Sequence, residues 1–186
     1  METGVRGFLN RLLGRRAPPV KAWVCAVCGQ AHDDLPAAAF PTPLVWDQAS
    51  EQERADDFDL TSDTCIWEHE HYFVRACLDL PYADREGAFQ FGVWTTLSRD
   101  NFFRYLETFD DDRSALPPMF GWFSNRLPGY PETLNLKCTL HPRPQGLRPL
   151  IELEATDHPL SVQQREGIPF TDAVAYVHAH LDLKTP

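Results

Sequence analysis

Cys25-Ala26-Val27-Cys28-Gly29-Gln30-Ala31-His32 is the stretch whose residue types and spacing suit metal chemistry. Two thiols two residues apart, with glycine straight after the second, make the half-site of a zinc knuckle. Its backbone amides aim at the sulfurs and its glycine takes the tight turn. A structural zinc needs four ligands, so two must come from elsewhere. The candidates are His32, Cys65, His69, His71, Cys77, Cys138 and His141. Thr64 to Trp67 and His71 to Leu80 read as strands of a hairpin joined by Glu68-His69-Glu70. With that loop centred on His69, Cys65 lies opposite Phe73 and diagonal to His71, about 7 Å away and within reach of a common ion. Cys77 is six residues beyond His71 on the same strand, roughly 20 Å off. Cys65 is therefore the expected third ligand and His32 or His71 the fourth. Four protein ligands make such a zinc structural; an open position beside Glu68 or Glu70 would make it hydrolytic. The plain alternative is two small thiols buried in a turn. A redox motif would need a helix after the thiols, and Asp33-Asp34-Leu35-Pro36 does not open one.

The second chemically dense stretch runs from Phe120 to Lys137 and mixes aromatics, asparagines, two cations and a Pro-Gly turn. Rigid loops of this kind present a few polar groups among apolar walls. The expected binding groove centres on Trp122, Asn125, Arg126, Tyr130, Asn135 and Lys137, with His158 as an outlying member. Its enzymatic version has Arg126 and Lys137 holding a small anionic substrate, with His158 or Glu152 as acid–base group. Glu152 and Glu154 share one strand face, which also suits plain solvation. No nucleophile-elbow, Walker or dinucleotide-binding glycine pattern occurs. Asp110-Asp111-Asp112 lacks the ligand spacing of a calcium loop.

These residues also carry a likeness. Cys-x-x-Cys-Gly-x-x-His at 25–32, His71-Tyr72-Phe73-Val74-Arg75, Gly92-Val93-Trp94, Asn125 to Pro131, Thr156-Asp157-His158-Pro159-Leu160 and Gln164-Arg165-Glu166-Gly167, in that order, resemble an uncharacterised bacterial family, the domain of unknown function 2199. The resemblance spans about residue 22 to the end. It implies a shared fold and assigns no reaction and no functional residue.

The elements that must position these groups alternate between strand and helix signals. Trp23-Val24 reads as a strand entering the knuckle. A polar helix is expected over Asp47 to Ala55. A third long strand follows at Ala88 to Leu97, then a helix capped by Ser98 and running through Phe109. Leu116-Pro117-Pro118 reads as a linker. Strands are expected at Leu134 to His141 and Leu150 to Glu154. Asp157 is the expected cap of a helix with Pro159 near its start and Gly167 past its end. Thr171 is the expected cap of the last helix, with Val174, Val177 and Leu181 buried. The fold class that follows is α+β: a mainly antiparallel sheet flanked by about four helices, with an N-terminal zinc-knuckle hairpin. Residues 1–20 form a basic extension and 21–186 a single domain.

Composition bounds the function. The chain has 186 residues, 43% of them hydrophobic, enough for a core. No run reaches the roughly 18 apolar residues of a membrane span, and no secretory signal opens the chain, so a cytoplasmic location is expected. The formal charge is −10. Arg6, Arg11, Arg15, Arg16 and Lys21 stand against Glu2 alone in the first 21 residues, so the body is more acidic still. That balance disfavours nucleic acid and suits a basic protein partner. Phe8, Leu9, Leu12 and Leu13 share a face among the arginines, which allows weak membrane-surface contact through residues 1–20.

Overall fold

The computed structural model describes residues 23–25, 29–32, 34–108, 112, 115–144 and 146–180. The expected 1–20 extension, Cys28, Phe109 and Leu181 lie outside them. The chain divides into two compact units, one up to Asp34 and one from Leu35. In the first, β1 (Trp23–Val24) pairs antiparallel with β2 (Ala31–His32), Trp23 opposite His32.

The second unit is α+β. Its spine is the hairpin of β6 (His71–Pro81) and β7 (Ala88–Leu97), paired residue for residue from Tyr72–Leu97 to Pro81–Ala88. Alternation is lost along β6 because both faces are covered: Tyr72, Phe73, Val74, Ala76, Cys77, Leu78 and Leu80 are all buried. On one edge β6 takes β5 (Thr64–Trp67), which in turn pairs with β4 (Phe58–Leu60). The loop between β5 and β6 centres as expected, with Cys65 opposite Phe73 and Trp67 opposite His71.

The sheet is mixed, which corrects the antiparallel expectation. β3 (Ala38–Ala39) runs parallel to β7, and β10 (Leu150–Leu153) runs parallel to β6 at Leu150–Cys77. β9 (Lys137–His141) and β8 (Met119–Trp122) continue from β10 in antiparallel fashion. β8 then curls back onto β7: Phe123 bridges Thr95, and the Ser124 amide donates to the Trp94 carbonyl at 2.9 Å. Across this closure Thr95 Oγ1 sits 3.1 Å from Cys138 Sγ. Gly121 makes the closure fit, since a Cβ there would stand 2.2 Å from the Thr96 carbonyl oxygen. Only a residue without a side chain allows two backbones so close.

Five helices, rather than about four, are found among the described residues. The expected 47–55 helix is two, α1 (Leu44–Gln48) and α2 (Glu51–Asp56). Ser50 breaks it, accepting from the Glu53 amide while Glu53 accepts from the Ser50 amide, a capping box that starts a new helix. α3 (Arg99–Glu107) is capped by Ser98 as expected and buries Phe102 and Tyr105 against Tyr72, Val74, Met119 and Leu140. α4 (Pro159–Glu166) is capped by His158 rather than Asp157: its Nδ1 accepts from the Leu160 amide at 3.2 Å. Proline at the first helical position places the cap one residue before it. α5 (Phe170–His180) begins before Thr171, its first amide donating to Asp84 Oδ1 at 2.9 Å. That cap comes from the β6–β7 loop, so no local pattern announces it.

Candidate functional site

Of the expected knuckle, Cys25 and residues 29–32 are described. The Cys25 amide donates to the Gln30 carbonyl at 2.9 Å, and the Gly29 amide donates to the Cys25 carbonyl at 2.9 Å. Gly29 closes the turn at φ +68°, left-handed backbone that side chains disfavour. Cys25 is half-buried at the turn, and the exposed His32 packs its ring 5.7 Å from that of Trp23.

The more distant candidates have other occupations. Cys65 has 0% exposure and packs with Phe73 and Trp94, bordered by Phe58, Leu60 and Trp67. Burial, and secondarily the Asp59 charge, pushes its thiol up to about 12. His71 stacks on Trp67 with ring centroids 4.8 Å apart. Cys77 and Cys138 are buried in the sheet, and burial raises both thiols. His141 Nε2 lies 2.9 Å from Glu152. Among the described residues no group of three or more His, Cys, Asp or Glu side chains is gathered as a metal site.

The stretch from Trp122 to Lys137 is spread over several environments. Trp122 and Lys137 are cross-strand partners exposed on β8 and β9, and Lys137 pairs with Glu154 at 3.6 Å. Arg126 pairs with Glu132 at 2.8 Å, both side chains about half exposed. Asn125 is buried: its Oδ1 accepts from the Trp94 amide at 2.7 Å and its Nδ2 donates to the Thr42 carbonyl at 2.9 Å. Asn135 occupies a left-handed turn position at φ +62°. Thr133 ties the loop to itself, donating to the Asn125 carbonyl and accepting from the Leu127 amide. These are the hydrogen bonds of a buried loop satisfying its own backbone.

Trp122 borders one hollow, beside Phe120 and Asn101, and Tyr130 lines another with more polar groups. A cavity of about 390 Å³ lies where α4, α5 and the Gly129–Pro131 turn meet the start of β7. Phe89, Tyr130 and Tyr176 supply aromatic wall, and Gln163, Asp172 and His180 supply polar groups. The Tyr130 hydroxyl donates to Gln163 Oε1 at 2.6 Å, which holds the ring. Tyr176 sits among the others, with ring centroids 5.7 Å from Phe89, 6.1 Å from Tyr130 and 4.7 Å from His180. Burial pushes the Tyr130 phenol up to about 12, and burial together with Tyr130 raises that of Tyr176, so both stay neutral.

The model of a family described as an uncharacterised protein conserved in bacteria, DUF2199, matches residues 24–168. The chain belongs to that family. No curated protein and no solved structure matches it. Within this DUF2199 chain, several of the motif residues act as internal fasteners. Gln164 bridges α4 to β10, accepting from the Leu153 amide at 2.8 Å and donating to the Ile151 carbonyl at 2.7 Å. Arg165 Nη1 donates to Ser161 Oγ, and its Nη2 donates to the Thr156 carbonyl. Asp172, Tyr176 and His180 lie beyond the matched span.

Asp172, Tyr176, Phe89 and Gln163 escaped the sequence reading. His180 reads from the sequence as an exposed histidine that shares no metal with His178, and the structure places His180 at the rim of this hollow. A signal existed: 172, 176 and 180 recur every four residues, with Ala175 and Ala179 between them, which puts polar and small groups on one helical face. The expected stripe at Val174 and Val177 marks the opposite, packed side, where Val177 and Ala173 are buried.

Proposed function

We propose that this protein is a binding or accessory module whose ligand site is the Tyr130–Tyr176 cavity. The observation that carries this is an aromatic hollow large enough for a small molecule, one wall of which is held by the Tyr130–Gln163 hydrogen bond. The enzymatic reading, with Arg126 and Lys137 holding an anion, draws less support. Each cation is spent on its own carboxylate, Glu152 faces His141, and His158 caps α4. Neither cation lines the cavity. The charge of −10 favours a basic partner or cation over an anion.

The test is a chemical-shift titration of the full chain with a panel of small amines, carboxylates and sugars. Shifts that saturate at Gln163, Tyr130 and Tyr176 support the reading. Saturating shifts at Arg126 and Lys137 instead support the enzymatic one, and no saturating shift anywhere overturns both.

A structural zinc at the knuckle is a second proposal, supported by the left-handed Gly29 and the two hydrogen bonds that close the turn. Cys25, Cys28 and His32 are the donors nearest in sequence to that turn. Elemental analysis should find about one zinc per chain, and Cys25→Ser should release it and lower the melting temperature. Metal-free protein, or unchanged stability on substitution, refutes the site.

A further inference from the structure

Taking the cavity as the binding site proposed above, we infer that its ligand carries an organic cation, a quaternary or alkylated ammonium group seated against Tyr130, Tyr176 and Phe89. Three features of the hollow point this way. First, its aromatic rings are mutually tilted: Tyr176 makes 60° with Phe89 and 44° with Tyr130. Tilted rings form walls around a rounded group, whereas a flat aromatic ligand wants parallel faces. Ring faces carry the negative lobe of the quadrupole, and a quaternary ammonium, which has no N–H to donate, is recognised mainly through that lobe.

Second, among the described lining residues the one carboxylate, Asp172, meets no permanent cation, His180 being the one basic side chain. Asp172 supplies a carboxylate, and no lysine or arginine is among the described lining residues. Asp172 is exposed, and among the described residues its carboxylate meets the neighbouring Thr171 hydroxyl at 3.4 Å and forms no ion pair. Third, the polar groups are neutral hydrogen-bonding groups of Gln163, Tyr130 and Tyr176 rather than a cluster of cations. The Tyr130 hydroxyl is already committed to Gln163, which leaves the Gln163 amide N–H groups and the Tyr176 hydroxyl to meet polar atoms on the rest of the ligand. The excess of acid over the whole chain adds a long-range attraction for cations.

The probes are choline and its uncharged isostere 3,3-dimethylbutan-1-ol, titrated into the full chain and followed by the chemical shifts of Tyr130, Gln163 and Tyr176. Choline should produce saturating shifts there, and the isostere should bind at least about threefold more weakly, the size of an exposed cation–π contribution. Asp172→Asn, an exposed change that leaves the fold intact, should weaken choline by about twofold to fivefold and leave the isostere unaffected. Tyr176→Phe keeps the ring and should retain choline, whereas Tyr176→Leu should lose it; a folded Tyr176→Phe variant guards against a trivial loss by unfolding. Equal binding of choline and its isostere overturns the cation class and leaves the cavity standing as a site. Binding of other panel members at the cavity without choline does the same. Absence of any small-molecule binding at the cavity overturns the site itself.

Discussion

Asn125 looked like a ligand-binding residue and is instead a buried clamp, and the difference is measurable. Its amide joins three pieces of chain, accepting from the Trp94 amide on β7 at 2.7 Å and donating to the Thr42 carbonyl at 2.9 Å, while its own carbonyl accepts from Thr133 Oγ1. In Asn125→Ala both partners lose their bond. A buried group left unsatisfied costs about 1–3 kcal/mol, and the Trp94 amide is deeply buried, so the loss should be about 2–4 kcal/mol. For a chain of this size that lowers the melting temperature by about 5–15 °C. Asn125→Asp is the sharper probe. It keeps an acceptor for Trp94 but turns a second oxygen toward the Thr42 carbonyl. Burial and that carbonyl would raise the folded-state pKa of the new carboxyl above its unfolded value. The variant should therefore recover stability as pH falls, when the protonated carboxyl donates to Thr42, and lose it as pH rises through the folded pKa. Urea unfolding followed by tryptophan fluorescence reads both effects. Loss of less than about 0.5 kcal/mol in Asn125→Ala, a change of the size expected at an ordinary surface site, would refute the clamp. So would an Asn125→Asp variant whose stability follows the parent at every pH.

Gly121→Ala should be among the most damaging single-methyl changes, because its Cβ would meet the Thr96 carbonyl at 2.2 Å and Thr95 Oγ1 at 2.5 Å. Relief requires backbone movement at the β7–β8 closure, and a loss of about 1–3 kcal/mol in urea unfolding is expected. Burial pushes the Asp63 carboxyl up, but hydrogen bonds from Arg148 and Ser62 outweigh it and hold the group below its ordinary value. Its contribution to stability is thus present above the unfolded pKa and fades as pH falls through the lower folded one; Asp63→Asn should lose less stability than the parent on acidification, and parallel pH profiles would contradict this. Cys65, Cys77 and Cys138, with at most 7% exposure, should resist a thiol reagent until denaturant is added, and mass spectrometry finding any of them labelled in the folded protein would show the core to be looser than described.

Much of the scaffold was legible because it is written locally. The strand at Ala88–Leu97 and the hairpin pairing of Cys65 with Phe73 follow from residue type and loop length within a few neighbours. Ser98 could be recognised as a cap because the hydrogen bond it makes spans three residues. β8 was missed because Phe120-Gly121-Trp122 looks like loop chemistry; its glycine is the inward residue that the curled sheet requires. The residues of the expected groove are spread over several environments for a related reason. Asparagine and threonine in an aromatic loop serve equally well as ligand contacts and as fasteners for buried backbone, and their partners, Trp94 and Thr42, are far away in sequence.

By itself, then, the sequence determined the α+β class, the hairpin of β5 and β6, the left-handed Gly29 and membership of a bacterial family, all of which depend on short-range chemistry or on order along the chain. Tertiary structure alone decided that β3 runs parallel to β7 and β10 to β6, that Asp84 starts α5, and that Phe89, Tyr130 and Tyr176 face one hollow. Each of these joins residues tens of positions apart. Such contacts are selected by which whole arrangement buries the most apolar surface with its polar groups paired, and no local pattern encodes that choice.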